Sequence, residues 1–270
     1  MALKTNPIEG GIGAEVINFD LSDFDRDSAD DILTAISRFG LLLFRRQSLT
    51  DHHLYEMSKG LGKVEIPANS SSRSPGFQEV LYISNLHTAD GAPIGGSTPG
   101  TQGGWHSDQA FRKSPATLST LFCVIAPETG GGTSFCSKER GYQSLSDAKK
   151  QELKDLRGQY MPGKSHDVEK IEVTHAAVLK CPQTERKTLY VSPSTRGFEG
   201  MSEVSSDALK EELLGYQLRE EHQYTHNWRM GDMLIYDNAQ FLHRREAYDG
   251  FRFLKATRVF ADPAMFAVPN

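Results

Sequence analysis

Residues 224–260 read YTHNWRMGDMLIYDNAQFLHRREAYDGFRFLKATRVF, and three short segments of this stretch have the composition of β-strands. YTHNW, MLIYDN and FRFLKATRVF are rich in aromatic and β-branched side chains, and Gly231 and Asp232 provide a turn between the first two. In an extended segment, alternate residues face the same side. The C-terminal part of the chain therefore predicts β-structure.

The upstream sequence continues this pattern of short strands with few helices. Further strands are predicted at 41–46, 80–84, 116–126, 133–137, 171–179 and 188–192, the last two joined as a hairpin by KCPQTERK. Helices are predicted at 28–40 with Ser28 as the N-cap, after Thr50, after Ser146 and from Asp207. Because strands and helices do not alternate as β-α-β units, we predict a mainly β protein with α insertions. The expected architecture is a double-stranded β-helix (jelly-roll) core flanked by helices.

The long segment 85–104, NLHTADGAPIGGSTPGTQGG, shows no helix or strand period and is rich in Gly, Pro and Thr. A loop of this length inside a compact domain is more often functional than idle, so we predict an active-site lid. The same composition would suit a linker between domains. Strand patterns continue on both sides of the segment, however, and we therefore expect one domain over residues 1–270.

The composition favours a cytoplasmic enzyme with reduced cysteines. With 30 Lys and Arg against 35 Asp and Glu, the net charge of −5 gives no general attraction to nucleic acid or to anionic lipid membranes. The N-terminal residues lack the apolar core of a signal peptide, and no apolar run approaches membrane-spanning length. Cys123, Cys136 and Cys181 are odd in number and lack CxxC spacing, which argues against a disulfide framework. A small-molecule substrate is expected, and a homo-oligomer is compatible with this composition.

The segment WHSDQAF (105–111) contains a histidine and an aspartate two positions apart, which is a candidate metal-binding pair. The pair His106 and Asp108 is not specific by itself, because Asp108 could also cap the turn that follows. His243 comes just after MLIYDN and would supply a third ligand if a barrel brought the strand ends to one mouth. Two imidazoles and one carboxylate on one face of an ion leave three positions open, as in non-haem Fe(II) oxygenases.

His222 and His226 are the main competing pair, because their spacing of four residues suits zinc binding on a helix. Gln223, however, stands where a zinc protease needs its catalytic glutamate, and YTHNW has the pattern of a strand. Two other readings stay open at this point. One is a metal hydrolase that uses Zn(II) at the His-Asp-His triad, and the other is a non-catalytic jelly-roll binding protein.

Four segments together resemble the Fe(II)- and 2-oxoglutarate-dependent dioxygenases typified by taurine dioxygenase and 2,4-dichlorophenoxyacetate dioxygenase. They are WHSDQAFRKSPA (105–116), GGGTSF (130–135), WRMGDMLIYDN (228–238) and HRREAYDGFRFL (243–254). The N-terminal IGAEVINFDLSD is similar to the same family, so the resemblance covers nearly the whole chain. It implies metal binding by His106, Asp108 and His243.

The resemblance also implies where the co-substrate binds. Thr133 falls where the family has a threonine that hydrogen-bonds 2-oxoglutarate, and Arg252 falls where it has the arginine that holds the distal carboxylate. A guanidinium presents paired N–H donors that match a carboxylate, and it keeps its charge. On residue type alone, Thr133 could be an ordinary strand residue and Arg252 a surface arginine. Asn85, His87 and Arg258 are candidates for contact with the substrate.

The chemistry implied by the resemblance is oxidation, most often hydroxylation, of a C–H bond in a small organic metabolite. The cofactor is Fe(II), the co-substrates are 2-oxoglutarate and O2, and the released products include succinate and CO2. The expected enzyme is therefore an Fe(II)/2-oxoglutarate-dependent dioxygenase whose catalytic residues are His106, Asp108 and His243.

One position departs from the family pattern. Taurine dioxygenase and its herbicide-degrading relative have a second arginine for an anionic substrate, four residues after the co-substrate arginine. Here that position is Ala256, and Arg258 lies one step farther along the same strand face, about 6.6 Å away. We therefore expect taurine and simple phenoxyacetates to be poor substrates. A larger metabolite is expected instead, such as an amino acid or a natural-product intermediate, with its polar groups contacted by the 85–104 loop.

Overall fold

The computed structural model describes residues 3–95, 101–163 and 169–269. The helices in these ranges are α1 (Arg26–Phe39), α2 (Asp51–Leu61), α3 (Lys138–Gln143), α4 (Asp147–Glu152) and α5 (Glu203–Gln217). The strands are β1 (Thr5–Pro7), β2 (Ala14–Val16), β3 (Leu41–Phe44), β4 (Lys63–Val64), β5 (Leu81–Ser84), β6 (Leu86–His87), β7 (Pro93–Ile94), β8 (Leu118–Ile125), β9 (Thr129–Gly130), β10 (Thr133–Ser137), β11 (Arg157–Tyr160), β12 (Val173–Ala176), β13 (Val178–Lys180), β14 (Lys187–Leu189), β15 (Gly197–Phe198), β16 (Gln223–His226), β17 (Met233–Asp237), β18 (Phe241–Arg245), β19 (Tyr248–Asp249) and β20 (Phe253–Phe260).

The larger sheet has eight strands in the order β1-β2-β3-β17-β8-β20-β4, with β5 also paired to β20. The neighbours β3 and β17, β17 and β8, and β8 and β20 are antiparallel, whereas β2 and β3 are parallel. Strands from both ends of the sequence are therefore neighbours. Of the three strands predicted from residues 224–260, β17 and β20 lie on either side of β8 in this sheet, and β16 lies in the smaller sheet.

The short apolar strand β3 explains why the larger sheet is covered on both faces. All four residues of LLLF are buried. Since successive side chains point to opposite faces, Leu42 and Phe44 pack with α1 and α2, while Leu41 and Leu43 point to the other side. A strand without polar positions needs two apolar environments, and the helices provide one of them.

The second environment is the interior between the two sheets. The smaller sheet has the order β16-β10-β18. Phe135 and Phe241 from this sheet pack in one cluster with Leu121, Leu234 and Tyr236 from the larger sheet. Two facing antiparallel sheets with helices outside form a jelly-roll, and the predicted double-stranded β-helix core flanked by helices is confirmed.

An additional layer adjoins the smaller sheet, where the Cys136 thiol of β10 donates to the carbonyl of Gln217 in α5. It consists of α3, α4, α5, the sheet β12-β11-β15 and the hairpin β13-β14, around a separate apolar core that includes Leu153, Leu189 and Leu213. The pairing of β13 with β14 confirms the predicted hairpin through KCPQTERK. This layer supplies one wall of the cavity described below.

The predicted N-cap of α1 was wrong. The helix begins at Arg26 rather than at Ser28, and Asp25 is its N-cap. The Asp25 carboxylate accepts hydrogen bonds from the backbone N–H of Ser28 at 2.8 Å and from its hydroxyl at 2.6 Å. Aspartate and serine both cap helices well, so composition alone did not separate two candidates three residues apart.

Of the other three predicted helix starts, two are confirmed and one was placed too late in the sequence. Thr50 and Ser146 cap α2 and α4, as predicted. The helix expected from Asp207 begins earlier, at Glu203, with Ser202 as its cap. No helix in the described ranges is long and apolar enough to cross a membrane.

The segment 85–104 is more regular than its composition predicted. Strands β6 and β7 pair as a small antiparallel hairpin, so residues 86–94 are not an irregular loop. Residues 96–100 lie outside the described residues. Beyond them, Gly103 N–H donates to the carbonyl of Arg245 at 2.8 Å, which ties the end of the segment to β18. Its predicted role as a lid, and the single domain over 1–270, stay predictions.

Candidate active site

His106 and His243 are brought side by side by backbone pairing. The N–H of His106 donates to the carbonyl of His243 at 3.0 Å, and the N–H of His243 donates to that of His106 at 2.8 Å. This bridge lies outside the named strand ladders, at the point where β18 passes the segment before Asp108. The two imidazole rings are 4.2 Å apart between centroids. The predicted meeting of the two histidines at one mouth of the barrel is therefore what the structure shows.

Asp108 is held from two directions. The Asn238 side chain accepts from the backbone N–H of Asp108 and donates to its carbonyl, both at 2.8 Å. The carboxylate accepts from the Ser119 hydroxyl at 2.8 Å and from Arg258 Nη2 at 3.2 Å. Both the backbone and the side chain of this residue are therefore oriented before any ligand arrives.

The three predicted ligands converge. One ligand atom from each of His106, Asp108 and His243 lies within 4.8 Å of the others, and no other group of this kind occurs among the described residues. Asp108 Oδ1 and His243 Nε2 are 4.0 Å apart. Since bonds to a divalent ion measure roughly 2.0–2.2 Å, small side-chain rotations inward would bring the set into coordination distance.

Protonation at the histidines fits a metal site. His106 Nδ1 lies 2.9 Å from the carbonyl of Gly104 and donates to it, which leaves the lone pair of Nε2 available. His243 Nδ1 is buried and has no hydrogen-bond partner in the described part of the chain. His243 Nε2, the ring nitrogen 4.0 Å from Asp108 Oδ1, lies 3.2 Å from the Tyr236 hydroxyl, so a metal bound by Nε2 would replace this hydrogen bond.

Electrostatics keep His243 and Asp108 in their metal-binding protonation states. Burial, and after it the neighbouring His106, lowers the pKa of His243 to about 3, so the imidazole is neutral at physiological pH. Burial alone would raise the pKa of Asp108, but Arg258 and the two histidines outweigh that effect and hold it well below its usual range. The site thus offers a neutral imidazole at His243 and a carboxylate at Asp108.

A cavity of about 1210 Å³ opens directly beside this triad. His106 and Asp108 line it, together with Glu65, Arg112 and Arg258. Of the predicted substrate residues, the cavity therefore includes Arg258. None of the described residues of the 85–104 segment lines it.

Glu65 and Arg112 were missed by the sequence analysis. Arg112 Nη1 forms an ion pair with Glu65 Oε1 at 2.8 Å, and Arg258 Nη1 lies 3.6 Å from Glu65 Oε2. Glu65 has a side-chain exposure of 5%, and Oε2 has no hydrogen-bond partner among the described residues. A chain of alternating charges thus runs from Asp108 through Arg258 and Glu65 to Arg112. No local motif marks Glu65, because all of its partners are distant in sequence.

Thr133 and Arg252 are both buried near the start of β10. Thr133 Oγ1 accepts from the indole N–H of Trp228 at 3.0 Å. Arg252 Nε donates to the carbonyl of Gly131 at 3.0 Å, and the guanidinium lies 5.7 Å from the centre of the Tyr248 ring. Arg252 is 2% exposed, so it is not a surface arginine. The structure therefore brings the two predicted co-substrate residues to one end of the smaller sheet.

Asn85 and His87 lie apart from the cavity. Asn85 accepts from the backbone N–H of Arg252 and donates to the carbonyl of Gly250, both at 2.9 Å, so it fixes the start of β20. His87 is exposed on β6. Their contact with substrate stays a prediction.

The competing histidines have other partners. His226 Nε2 bonds to Asp232 at 3.0 Å, and His222 Nδ1 bonds to the carbonyl of Gln217 at 3.2 Å. His226 also lies on β16 rather than on a helix. The pair therefore does not have the geometry of a helical zinc site.

Comparison with known proteins identifies the family. The model of the taurine catabolism dioxygenase TauD, TfdA family matches residues 4–258. The chain belongs to this family. It is 27% identical to an alpha-ketoglutarate-dependent 2,4-dichlorophenoxyacetate dioxygenase of Cupriavidus pinatubonensis, over 92% of this chain and 94% of that protein. It is 25% identical to pentalenolactone F synthase of Streptomyces arenae, over 97% of each chain.

The fold comparison agrees. A crystal structure of a taurine dioxygenase from Burkholderia xenovorans superposes with a TM-score of 0.84 at 26% identity, covering 100% of this chain and 95% of that one. The prediction of a 2-oxoglutarate-dependent dioxygenase is confirmed by the family and by relatives with that activity. Neither the zinc hydrolase nor the non-catalytic binding protein is favoured.

The metal-free protein should lose stability as the pH falls. The pKa of His243 is about 3 in the folded protein, whereas a histidine in an unfolded chain titrates near pH 6.5. Between these values the unfolded chain binds a proton that the folded chain does not, so acidification favours unfolding. On moving from about pH 7.5 to about pH 5, His243 alone should lower the free energy of unfolding by about 2 kcal/mol.

Urea unfolding at the two pH values measures this effect, with His243→Asn as the control because asparagine does not titrate. The variant should lose about 2 kcal/mol less than the wild type on acidification. Burial raises the pKa of Asp237 to about 6, which acts in the opposite direction, but it does so in both proteins. An equal loss in both would contradict a neutral buried His243.

Proposed function

We propose that this chain is an Fe(II)-dependent 2-oxoglutarate dioxygenase in which His106, Asp108 and His243 bind the iron. The observation that carries the proposal is the convergence of these three ligand atoms within 4.8 Å beside a large cavity. When bound, Fe(II) supplies the O2 chemistry that couples decarboxylation of 2-oxoglutarate to oxidation of a substrate C–H bond. The chain supplies the ligands, the orientation of both organic molecules and the exclusion of water.

The donor set supports iron over structural zinc. A closed structural zinc site requires four protein ligands, whereas two imidazoles and one carboxylate leave positions open for small molecules. Among the described residues no fourth His, Cys, Asp or Glu joins the triad. Nitrogen and carboxylate ligands without thiolate are also the set used by non-haem Fe(II) oxygenases.

We propose that Arg252 and Thr133 hold the distal carboxylate of 2-oxoglutarate. In the described ranges Arg252 forms no ion pair with a carboxylate, although it is 2% exposed. A buried guanidinium without a counter-ion is unfavourable, so an anionic ligand would complete this site. Trp228 occupies an acceptor position of Thr133 Oγ1, which leaves the hydroxyl proton free to donate to such a carboxylate.

The cavity beside the metal is the proposed substrate site. Its volume of about 1210 Å³ exceeds the range of roughly 300–1,000 Å³ of pockets for drug-sized ligands. Arg258 and Arg112 present guanidinium groups to it, and Glu65 adds a buried carboxylate oxygen without a hydrogen-bond partner. These features support a polar metabolite larger than taurine that contacts Arg258.

The remaining proposals concern the cellular location of the enzyme and its partners. We propose a cytoplasmic location and a small organic substrate, with neither nucleic acid nor membrane as a partner. The net charge of −5 supports this, and Cys123, Cys136 and Cys181 are free and buried, as suits a reducing compartment. A homo-oligomer is compatible with the proposal.

Succinate release is the direct test of the proposed activity. Purified protein with Fe(II), 2-oxoglutarate and a panel of candidate metabolites should release succinate with at least one of them, and Zn(II) should not replace Fe(II). His106→Ala and Asp108→Ala should abolish both this release and the binding of one Mn(II) per chain. Metal binding that survives both substitutions, or succinate release that is independent of iron, would refute the proposal.

Arg252→Ala should weaken 2-oxoglutarate binding without weakening metal binding. Removing one partner of a buried charged pair costs about 2–5 kcal/mol, so the dissociation constant should rise roughly 30-fold or more. Calorimetric titration of the Mn(II)-loaded protein with 2-oxoglutarate measures this. Arg258→Ala is the matched control and should leave 2-oxoglutarate affinity close to the wild-type value. The reverse pattern would assign the carboxylate to Arg258.

Taurine and simple phenoxyacetates should support little succinate release. Ala256 is 6% exposed and pairs in register with Leu121. It therefore offers a methyl group in an apolar interior, at the position where taurine dioxygenase and 2,4-dichlorophenoxyacetate dioxygenase are expected to have an arginine. A panel that compares taurine and phenoxyacetate with larger amino acids and terpenoid acids measures the difference. Turnover of taurine at a rate comparable to that of the best substrate would contradict this prediction.

A further inference from the structure

Lys138 is an unusual residue for the position it occupies. It is the first residue of α3, directly after β10, and is 1% exposed. In the part of the chain that the structure describes, no carboxylate forms an ion pair with it, although Asp237 is close enough to favour its charged form. A lysine is almost never fully buried unless its ammonium is paired. Its side chain therefore needs an explanation that neither the fold nor the proposed ligands give.

Each N–H of the Lys138 ammonium has an acceptor. Nζ lies 2.5 Å from Ser107 Oγ, 3.3 Å from the carbonyl oxygen of Asn238 and 4.2 Å from the centre of the Tyr190 ring. An ammonium has three donors, and a hydroxyl, a carbonyl and an aromatic face satisfy all three. The group is thus bound by neutral acceptors in a defined geometry.

Two of these acceptors belong to the segments that carry the proposed metal ligands. Ser107 stands between His106 and Asp108, and its hydroxyl donates to the carbonyl of Phe241 on β18 at 3.2 Å. Asn238 holds both the backbone N–H and the carbonyl of Asp108. One ammonium therefore joins the His106–Asp108 segment to the turn that leads into β18.

We propose that Lys138 is a positioning residue for the metal centre, whose ammonium fixes the backbone between His106 and Asp108 relative to the strand that carries His243. The inference rests on the proposed metal site. Burial orders the side chain, and its hydrogen bonds act on Ser107 rather than on a metal ligand itself. Residues that hydrogen-bond directly to metal ligands commonly change metal affinity 10–100-fold when they are substituted, and for Lys138, which acts through Ser107, we expect the lower end of this range.

The protonation state of Lys138 does not decide the proposal. Burial lowers the pKa of Lys138 to about 7, so both forms are populated near neutrality. A neutral amine still has two N–H donors, enough for Ser107 and Asn238. An apolar side chain of the same length would fill the space and avoid the burial of charge, but it would leave both acceptors without a donor.

Lys138→Met tests the inference, because methionine keeps the length and apolar character of the stem and removes the donors. Co(II) is the probe, since its visible absorption reports the coordination geometry as well as the affinity. We expect the dissociation constant for Co(II) to rise at least tenfold and the spectrum to change, while circular dichroism stays that of the wild type. Lys255→Met, which removes a mostly buried lysine paired with Asp51 instead, should leave both Co(II) readouts unchanged.

Ser107→Ala provides a second route if Lys138→Met fails to fold. It removes the acceptor of the Lys138 hydrogen bond and should also raise the dissociation constant at least tenfold. Because both substitutions remove the Lys138–Ser107 hydrogen bond, the loss of binding free energy in the double variant should be smaller than the sum of the two single losses. Wild-type affinity and spectrum in both single variants would overturn the inference. If His106→Ala bound Co(II) as tightly as the wild-type protein does, the proposed metal site itself would be wrong, and the inference would fail with it.

Discussion

The reciprocal backbone hydrogen bonds between His106 and His243 are the contact on which the proposed active site depends. They join a segment before β8 to a strand near the end of the chain, and they set the two imidazoles side by side. Everything that places β18 therefore also places the metal site: its pairing with β10, the interior cluster beneath it and the turn that contains Asn238. The jelly-roll supplies the frame, and one two-residue bridge brings the two histidines of the proposed metal site together.

Charge compensation around this centre is organised in series. Asp108 is balanced by Arg258, Arg258 is shared with Glu65, and Glu65 is balanced by Arg112. Each charge in this series has an opposite neighbour, which is the condition for keeping ionised groups in a site with restricted access to water. A divalent ion bound to Asp108 would compete with Arg258 for the negative charge of that carboxylate. The cavity and the metal site are therefore electrostatically connected.

The sequence allowed prediction of the parts that local pattern controls. The apolar run LLLF and the strand composition of residues 224–260 predicted strands. The spacing of His106 and Asp108, together with His243, predicted three side chains that the structure brings together. The cap of α1 was assigned to Ser28 rather than Asp25, because two residues of equal capping ability lie three positions apart. Glu65, Arg112 and Lys138 were missed because the partners that give them a role are distant in sequence. Long-range charge pairs leave no local periodicity.

The ends of the larger sheet have a consequence for the behaviour of the protein at high concentration. The path of strands finishes in β1 with three residues on one side and β4 with two on the other. Pro7 in β1 has no N–H to offer, and Lys63 places a charge on β4. Short edges with a proline or a lysine give a second molecule little to pair with. These two ends of the sheet therefore offer little edge for strand-by-strand aggregation.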